Sequence, residues 1–133
     1  MNKEQAKIKL KELVENFRSA NLNKEYIAGF SEEDVKNQFI DPLLYEVLGW
    51  ERPDIRKEAR VQRKKADYII SIGNERKVVL EAKKVTVGLN EEEGWQAVSY
   101  AYNNKIKFAI LTNFKELKVY HALNRSRKIN SNL

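Results

Sequence analysis

The spacing of apolar residues at the start of the chain is that of an α-helix. Across residues 3–18 apolar side chains recur mostly every three or four positions, with lysine and glutamate between them. This pattern predicts a first helix. The polar segment 21–26 is expected to connect it to the next element.

A second helix is predicted to begin at Ser31, whose hydroxyl suits an N-cap position. Acidic residues fill the following turn, where the helix dipole favours negative charge. An apolar stripe (Val35, Phe39, Leu43, Leu44) then continues to Leu48, and Gly49 ends the helix. Pro42 lies inside this helix and predicts a kink near residue 41.

The pattern changes from helical spacing to strands in the middle of the chain. Residues 55–65 alternate weakly and predict a strand, whereas residues 67–72 and 77–83 are more strongly strand-like. Gly73 and Asn74 separate the last two runs and are typical of a turn. These runs predict a β-hairpin.

The remaining pattern adds one helix and two strands. Asn90 suits an N-cap, with Glu93 placed for a capping box, and this helix is expected to end near Asn103. Residues 107–113 predict a buried strand and residues 116–122 an alternating one. The order α-α-β-β-β-α-β-β predicts an α/β (α+β) fold, with a central mixed sheet flanked by helices.

The length of 133 residues predicts one domain. We expect it to span residues 1–122, with an N-terminal helix and connection in 1–30 and the core in 31–122. Residues 123–133 form a polar, basic tail that we expect to be frayed. The last strand lies close to residue 133, which suggests a fragment of a longer protein.

Composition narrows the functional classes. The chain has no cysteine, which excludes disulfides and thiolate metal sites. It has neither a signal-peptide pattern at the N-terminus nor a run of about 18 apolar residues for a membrane span. We therefore expect a cytoplasmic protein without a membrane partner.

Positive charge is concentrated before the hairpin. The net charge is +6, and residues 52–65 contain seven basic residues against two acidic ones. Such a cluster favours a polyanionic partner, most often a phosphate backbone, although a solvated surface remains the alternative. The candidate phosphate-binding residues are Arg56, Arg60, Arg63, Lys64 and Lys65.

The predicted hairpin carries charged residues in an unexpected place. If its loop comprises Gly73, Asn74 and Glu75, then Asp67 lies opposite Glu81 on the neighbouring strand. Lys83, two residues further, points to the same face. The opposite face is expected to hold apolar residues of both strands: Tyr68, Ile70, Ile72, Val78, Leu80 and Ala82.

Two opposed carboxylates repel each other, and a divalent cation would remove that repulsion. A lysine beside the cation could act on water or stabilise charge developing on a phosphate, so the group suits metal-assisted phosphodiester hydrolysis. The alternative is an ion pair on a solvated sheet edge. The chain contains its own comparison in Glu116-Leu117-Lys118, which has no nearby upstream aspartate and is interpreted as an exposed strand start.

The spacing from Asp67 to Glu81-Ala82-Lys83 resembles the motif of the PD-(D/E)XK nuclease superfamily. Ala66 stands where that motif often has proline. A literal Pro-Asp pair occurs at residues 53–54, but it precedes the first strand and cannot face Glu81 across a short hairpin.

The surrounding sequence sharpens this resemblance. The segments SEEDVKNQFIDPLLYEVLGW, LEAKK and QAVSYAYNNKIKFAILTNFKELKVYHA resemble the N-terminal nuclease domain of type I restriction subunits and type IIG endonuclease–methyltransferases, over roughly residues 30–122. The resemblance implies a restriction-endonuclease-like core and Mg²⁺-dependent cleavage of double-stranded DNA, with Mn²⁺ expected to substitute.

The resemblance also implies roles for individual residues. Asp67 and Glu81 match the metal-binding acids and Lys83 the catalytic lysine. Gln96 and Tyr100 match a Q-x-x-x-Y motif and share a helix face, although core packing is the alternative for Tyr100. An acid on the preceding helix is expected too, and Glu32 fits this position better than Glu33.

The sequence thus predicts a Mg²⁺-dependent endonuclease domain of a restriction–modification enzyme. The alternatives are a related nuclease of repair or mobile-element defence, and an inactive DNA-binding module of the same fold. Expected partners are double-stranded DNA and methyltransferase, specificity or motor domains or subunits. His121 is expected to be structural and partly exposed.

Overall fold

Helices make up the first part of the chain, and a sheet interrupted by one further helix makes up the rest. The computed structural model describes residues 2–61 and 64–123. Its α-helices are α1 (Lys3–Leu22), α2 (Lys24–Ala28), α3 (Glu32–Val35) and α4 (Glu91–Asn103). Two π-helical stretches, Lys36–Ile40 and Pro42–Val47, continue α3, and residues 32–47 are here called the wide helix.

Five strands form one sheet in the described part of the chain. They are β1 (Ile55–Val61), β2 (Lys64–Ile72), β3 (Glu75–Ala82), β4 (Phe108–Thr112) and β5 (Leu117–His121). The strands lie in chain order, and all neighbours are antiparallel except β3 and β4. Helix α4 makes the crossover that a parallel pair requires. The predicted mixed sheet is confirmed.

Helices cover both faces of the sheet and create two apolar cores. On one face, side chains of α1 and the wide helix pack on β2 and β3, through residues such as Phe17, Phe39, Tyr68 and Leu80. On the other face, α4 packs on the sheet through residues that include Ala97, Tyr100, Val79 and Leu111. The ends of the central strands are therefore enclosed by helices on two sides.

The wide helix accommodates Pro42 by changing its hydrogen bonds. The amide of Asp41 bonds to the carbonyl of Lys36, and the amide of Leu48 to that of Leu43, so the bonds span five residues. Proline has no amide hydrogen and disfavours the ordinary four-residue pattern. The helix widens around residue 41, where a kink was predicted, and ends at Val47. Leu48, the last residue of the predicted apolar stripe, is 59% exposed.

The turn of the β2–β3 hairpin is shorter than predicted, but the pairing predicted between the two strands is nevertheless found near Asp67 and Glu81. The turn has two residues, Gly73 (φ 58°) and Asn74 (φ 71°), and Glu75 already pairs with Ile72. The predicted three-residue loop is wrong. A bulge at Lys77 inserts the missing residue, so pairing from there towards the strand ends follows the expected register.

Smaller differences concern element limits. The expected connection 21–26 contains the start of α2, which Asn23 caps. Ile72, predicted to face the core, is 53% exposed. The Asn90 side chain caps α4 by accepting a hydrogen bond from the Glu93 amide. The Glu93 carboxylate accepts a bond from the Asn90 side chain and not from its backbone amide, so the predicted capping box is incomplete.

Two further expectations concern the C-terminal tail and membrane spans. Residues 124–133, most of the tail expected to be frayed, lie outside the described residues. Among the residues that are described, no helix combines the length and apolar character needed to cross a membrane.

Candidate active site

Asp67 is the fourth residue of β2 and is held from two directions. Tyr68 pairs with Leu80, and one further step in this register sets Asp67 opposite Glu81. Asp67 is only 7% exposed. Its Oδ2 accepts a hydrogen bond from the Ala82 amide at 2.8 Å, and its Oδ1 accepts one from Lys36 Nζ at 3.4 Å.

Glu81 is half-buried beside Asp67, and its surroundings disfavour its charge. Burial, and then the negative charge of Asp67, raise the pKa of the Glu81 carboxyl to about 8. The Lys83 ammonium opposes this rise, whereas the charge of Glu32 adds to it. Three other predicted site residues, Asp67, Lys83 and Glu32, therefore act electrostatically on Glu81.

Lys83 follows the last residue of β3 and remains anchored to the sheet. Its amide donates to the Thr112 carbonyl at 2.8 Å, which continues the parallel β3–β4 pairing. Its Nζ lies 3.9 Å from Glu93 Oε2, a buried oxygen with no hydrogen-bond partner among the described residues. The next residue, Lys84, is exposed. The two adjacent lysines thus have different surroundings.

The two residues of the Q-x-x-x-Y motif differ in burial: Tyr100 is buried and Gln96 is exposed. Tyr100 is 3% exposed and packs in the core under α4, yet its buried hydroxyl has no hydrogen-bond partner in the described structure. Burial raises its pKa, and the Glu81 charge acts in the same direction. Gln96, one turn earlier, is exposed. The packing alternative for Tyr100 therefore holds, while its hydroxyl still lies close enough to Glu81 for their charges to interact.

Lys36 belongs to this group of residues, and sequence reasoning missed it. It is 3% exposed, and its Nζ lies 3.1 Å from Glu33 Oε1 and 3.4 Å from Asp67 Oδ1. A signal existed, because Lys36 precedes Ile40 by one helical turn and therefore shares its buried face. Glu33, the second choice for the helical acid, pairs with Lys36, whereas Glu32 is the acid whose charge reaches Glu81.

The basic segment lies along β1 and the start of β2. Arg56 is exposed on β1 and pairs with Ile69, whose side chain packs in the core under α4, so Arg56 lies on that side of the sheet. The backbone of Arg60 pairs with that of Lys65, and Lys64 pairs with Val61. Arg63 lies outside the described residues. The positive segment is thus continuous with the strand that carries Asp67.

Two local comparisons help to define the site. Pro53 and Asp54 lie in a short 3₁₀ turn before β1, as expected, and the first residue of β1, Ile55, pairs with Ile70 of β2. Glu116 is exposed at the start of β5, and Lys118 donates to the Leu89 carbonyl at 2.8 Å instead of facing a carboxylate. Neither motif brings two carboxylates together.

The donor set fits a hydrated hard cation better than a metal cage. Among residues 2–61 and 64–123, no group of three or more histidine, cysteine or acidic residues is arranged to hold a metal. Mg²⁺, however, keeps several waters and is usually held by one or two carboxylates. Asp67 and Glu81 supply such a pair of carboxylates, and their negative charges disfavour each other.

The fold and this group define a class: a mixed α/β domain with two carboxylates on adjacent strands and a lysine just after the end of one of those strands. Residues 31–131 match the family model described as "Type I restriction enzyme R protein N terminus (HSDR_N)". The chain belongs to this family, which confirms the resemblance found in the sequence to the N-terminal domains of restriction enzymes.

Two individual proteins extend the comparison. The chain is 28% identical over 149 residues to the Type II restriction enzyme and methyltransferase RM.Eco57I of Escherichia coli, an alignment covering 98% of this chain and 14% of that protein. A fragment structure assigned to an HsdR subunit of a type I restriction enzyme from Vibrio vulnificus YJ016 shares the fold, with a TM-score of 0.58 and 24% identity over 78% of this chain and 23% of that one. The chain thus spans about a seventh of the length of the curated relative.

Proposed function

We propose that this chain is a Mg²⁺-dependent endonuclease domain that hydrolyses phosphodiester bonds of double-stranded DNA in a restriction system. The observation that carries the proposal is the meeting of Asp67 and Glu81, two carboxylates whose surroundings resist carrying both charges. Two neighbouring carboxylates repel each other when no cation is present, whereas a bound divalent cation makes their negative charges favourable. Family membership supports the restriction context.

The residues divide the proposed chemistry between them. Asp67 and Glu81 would hold the cation, which when bound polarises a phosphoryl oxygen and activates water. Asp67 is already oriented by the Ala82 amide. Lys83, fixed through its backbone to β4, would stabilise negative charge developing on the phosphate.

The basic segment would bind the DNA backbone without reading its sequence. Arg56 and its neighbours on β1 and β2 supply positive charge beside the strand that carries Asp67. Contacts to phosphates position a protein on DNA but carry no sequence information. Sequence choice would therefore rest with other domains or subunits, consistent with the methyltransferase function in the name of the Escherichia coli relative.

Binding of Mn²⁺ measured by calorimetry, with plasmid nicking measured beside it, tests this proposal. Wild type should bind the ion, and Glu81→Ala should lose both ion binding and nicking. Glu116→Ala is the matched control, because it removes an exposed glutamate that is also followed two positions later by lysine. It should behave as wild type.

The outcomes separate the alternatives. Mn²⁺ binding that is equal in wild type and Glu81→Ala would contradict the assignment of the site. Salt-sensitive DNA binding by wild type, with no ion binding and no nicking, would instead indicate an inactive DNA-binding module of this family.

A further inference from the structure

Among the side chains that the structure describes, Lys36 is the most deeply buried charged one near the candidate site. Its residue exposure of 3% is lower than the 7% of Asp67. An ammonium group is rarely buried to this degree unless it is paired. Here it contacts two carboxylates, Glu33 on its own helix and Asp67 on β2.

The contact with Asp67 joins two layers of the fold. Lys36 comes from the wide helix, whereas Asp67 and its other partner, the Ala82 amide, belong to the sheet. The two partners bind different oxygens, so the carboxylate is held on both sides. The bond to Lys36 is the longer one, at 3.4 Å against 2.8 Å, but it joins two charged groups.

A cation held by Asp67 would share that carboxylate with the Lys36 ammonium. The two positive charges would then lie within several ångströms of each other and repel. In the metal-free protein, by contrast, the ammonium offsets the negative charge that Asp67 exerts on Glu81. Lys36 thus favours the metal-free state of the pair and opposes the metal-bound state.

We propose that Lys36 is a positioning residue that acts as an internal counter-ion: it neutralises Asp67 while the site holds no metal, and its repulsion sets the affinity for the divalent cation. This inference rests on the proposed function and adds a determinant of metal affinity outside the D–E-x-K motif. It explains why a lysine occupies a helix face that otherwise packs apolar residues such as Ile40.

Titration with Mn²⁺ of variants at position 36 provides the test. Lys36→Gln keeps a hydrogen-bond donor but removes the charge, and Lys36→Met removes both. Each should bind Mn²⁺ about tenfold more tightly than wild type, the size of effect that one like charge at about 4–6 Å has on proton affinity. Lys36→Arg keeps the charge and should restore an affinity near that of wild type.

Thermal unfolding provides a second readout. Without metal both neutral variants should melt below wild type, because Asp67 and Glu33 lose their shared partner. Saturating Mn²⁺ should raise their melting temperatures by more than it raises that of wild type. A side chain that merely fills space would lower the melting temperature equally with and without Mn²⁺.

Lys57→Met is the matched control. Lys57 bonds Asp41 at 2.9 Å, a lysine–aspartate pair that is not part of the candidate site. Its loss should lower the melting temperature without changing Mn²⁺ affinity.

The outcomes distinguish this inference from the proposed function. Mn²⁺ binding by wild type, with equal or weaker binding by Lys36→Gln, would overturn the counter-ion role alone. Absence of Mn²⁺ binding by wild type would overturn the proposed function and the counter-ion role together.

Discussion

At the scale of single residues, Lys83 and Lys84 offer the sharpest contrast. Lys83→Ala should retain Mn²⁺ and DNA binding, because Lys83 does not hold the cation and only one positive charge is removed. Nicking should fall by about 10²–10³, the usual cost of removing one electrostatic donor. Lys84 is exposed beyond the end of β3, so Lys84→Ala should leave nicking nearly intact. The reverse pattern in plasmid nicking would show that the strand register at the site is wrong.

Glu81 should make the metal-free protein sensitive to alkaline pH. Its folded pKa of about 8 lies above the ordinary value of 4.5, so folding favours its protonated form. This contribution to stability is fully present below about pH 4.5 and is lost as pH rises through about 8. Thermal unfolding in EDTA should therefore show a lower melting temperature at about pH 9 than at about pH 6.

Glu81→Gln isolates that effect from other titrating groups. The variant cannot ionise at this position, so its stability should fall less between the two pH values than that of wild type. Equal pH dependence of the two proteins would show that Glu81 ionises without penalty in the fold.

The sequence predicted Asp67, Glu81 and Lys83 as neighbours because alternation along strands is simple and their spacing spans one hairpin. The insertion at Lys77 offset the wrong turn length, so the register near the site was right although its premise was wrong. Lys36 was missed because a lysine in a helix is normally solvated. Its partner is 31 positions away and becomes visible only in the folded chain.

At the scale of elements, α4 packs against β5 at a point where only glycine fits. A Cβ atom built on Gly94 would overlap the Tyr120 hydroxyl and lie 2.8 Å from its Cζ. Gly94→Ala should lower the free energy of unfolding by about 1–3 kcal/mol, since the cost of overpacking exceeds the gain in helix propensity of about 1 kcal/mol. Chemical denaturation measures this difference.

Gly88→Ala is the control for that prediction. Nothing lies within 4 Å of a Cβ built there, so its stability should change little. Equal stability of Gly94→Ala and wild type would mean that Tyr120 moves aside at no cost.

Element types were easier to predict than element ends. The apolar spacing of α1 and the caps at Ser31 and Asn90 act locally, and the structure confirms them. The widening around Pro42 depends on how neighbouring turns share hydrogen bonds, which composition does not specify. Similarly, α2 arises where Asn23 caps a polar segment that has no clear apolar periodicity.

At the scale of the whole molecule, the charge distribution predicts salt-dependent DNA binding. The logarithm of affinity should fall linearly with the logarithm of salt concentration. Replacing Arg60, Arg63 and Lys64 together by glutamine should reduce the slope by about 0.9 for each phosphate that the variant no longer neutralises. Replacing Lys3, Lys7 and Lys11 on α1 changes the net charge equally and should leave the slope nearly unchanged. A slope that does not respond to the first set would mean that the basic segment is only solvated surface.

The order of the strands and the class of sheet followed from the sequence, because turn residues such as Gly73 and Asn74 separate two of the apolar runs and Asn90 caps the helix before the last two strands. The arrangement of the layers did not, since packing on both sides of β2 and β3 depends on interactions between distant segments such as those of Phe17 and Phe39. The family assignment supports the same architecture.

The position of β1 has a consequence for solubility. Within the described chain β1 forms one edge of the sheet, and an edge strand offers unpaired backbone groups to strands of other molecules. The charged residues of the sequence IRKEARV make such pairing between copies unfavourable, because like charges would meet across the new interface. Arg56 and Arg60, which are proposed to bind DNA, would thus also disfavour pairing of β1 with other molecules. Their neutralisation should therefore increase self-association of the protein as well as weaken its binding to DNA.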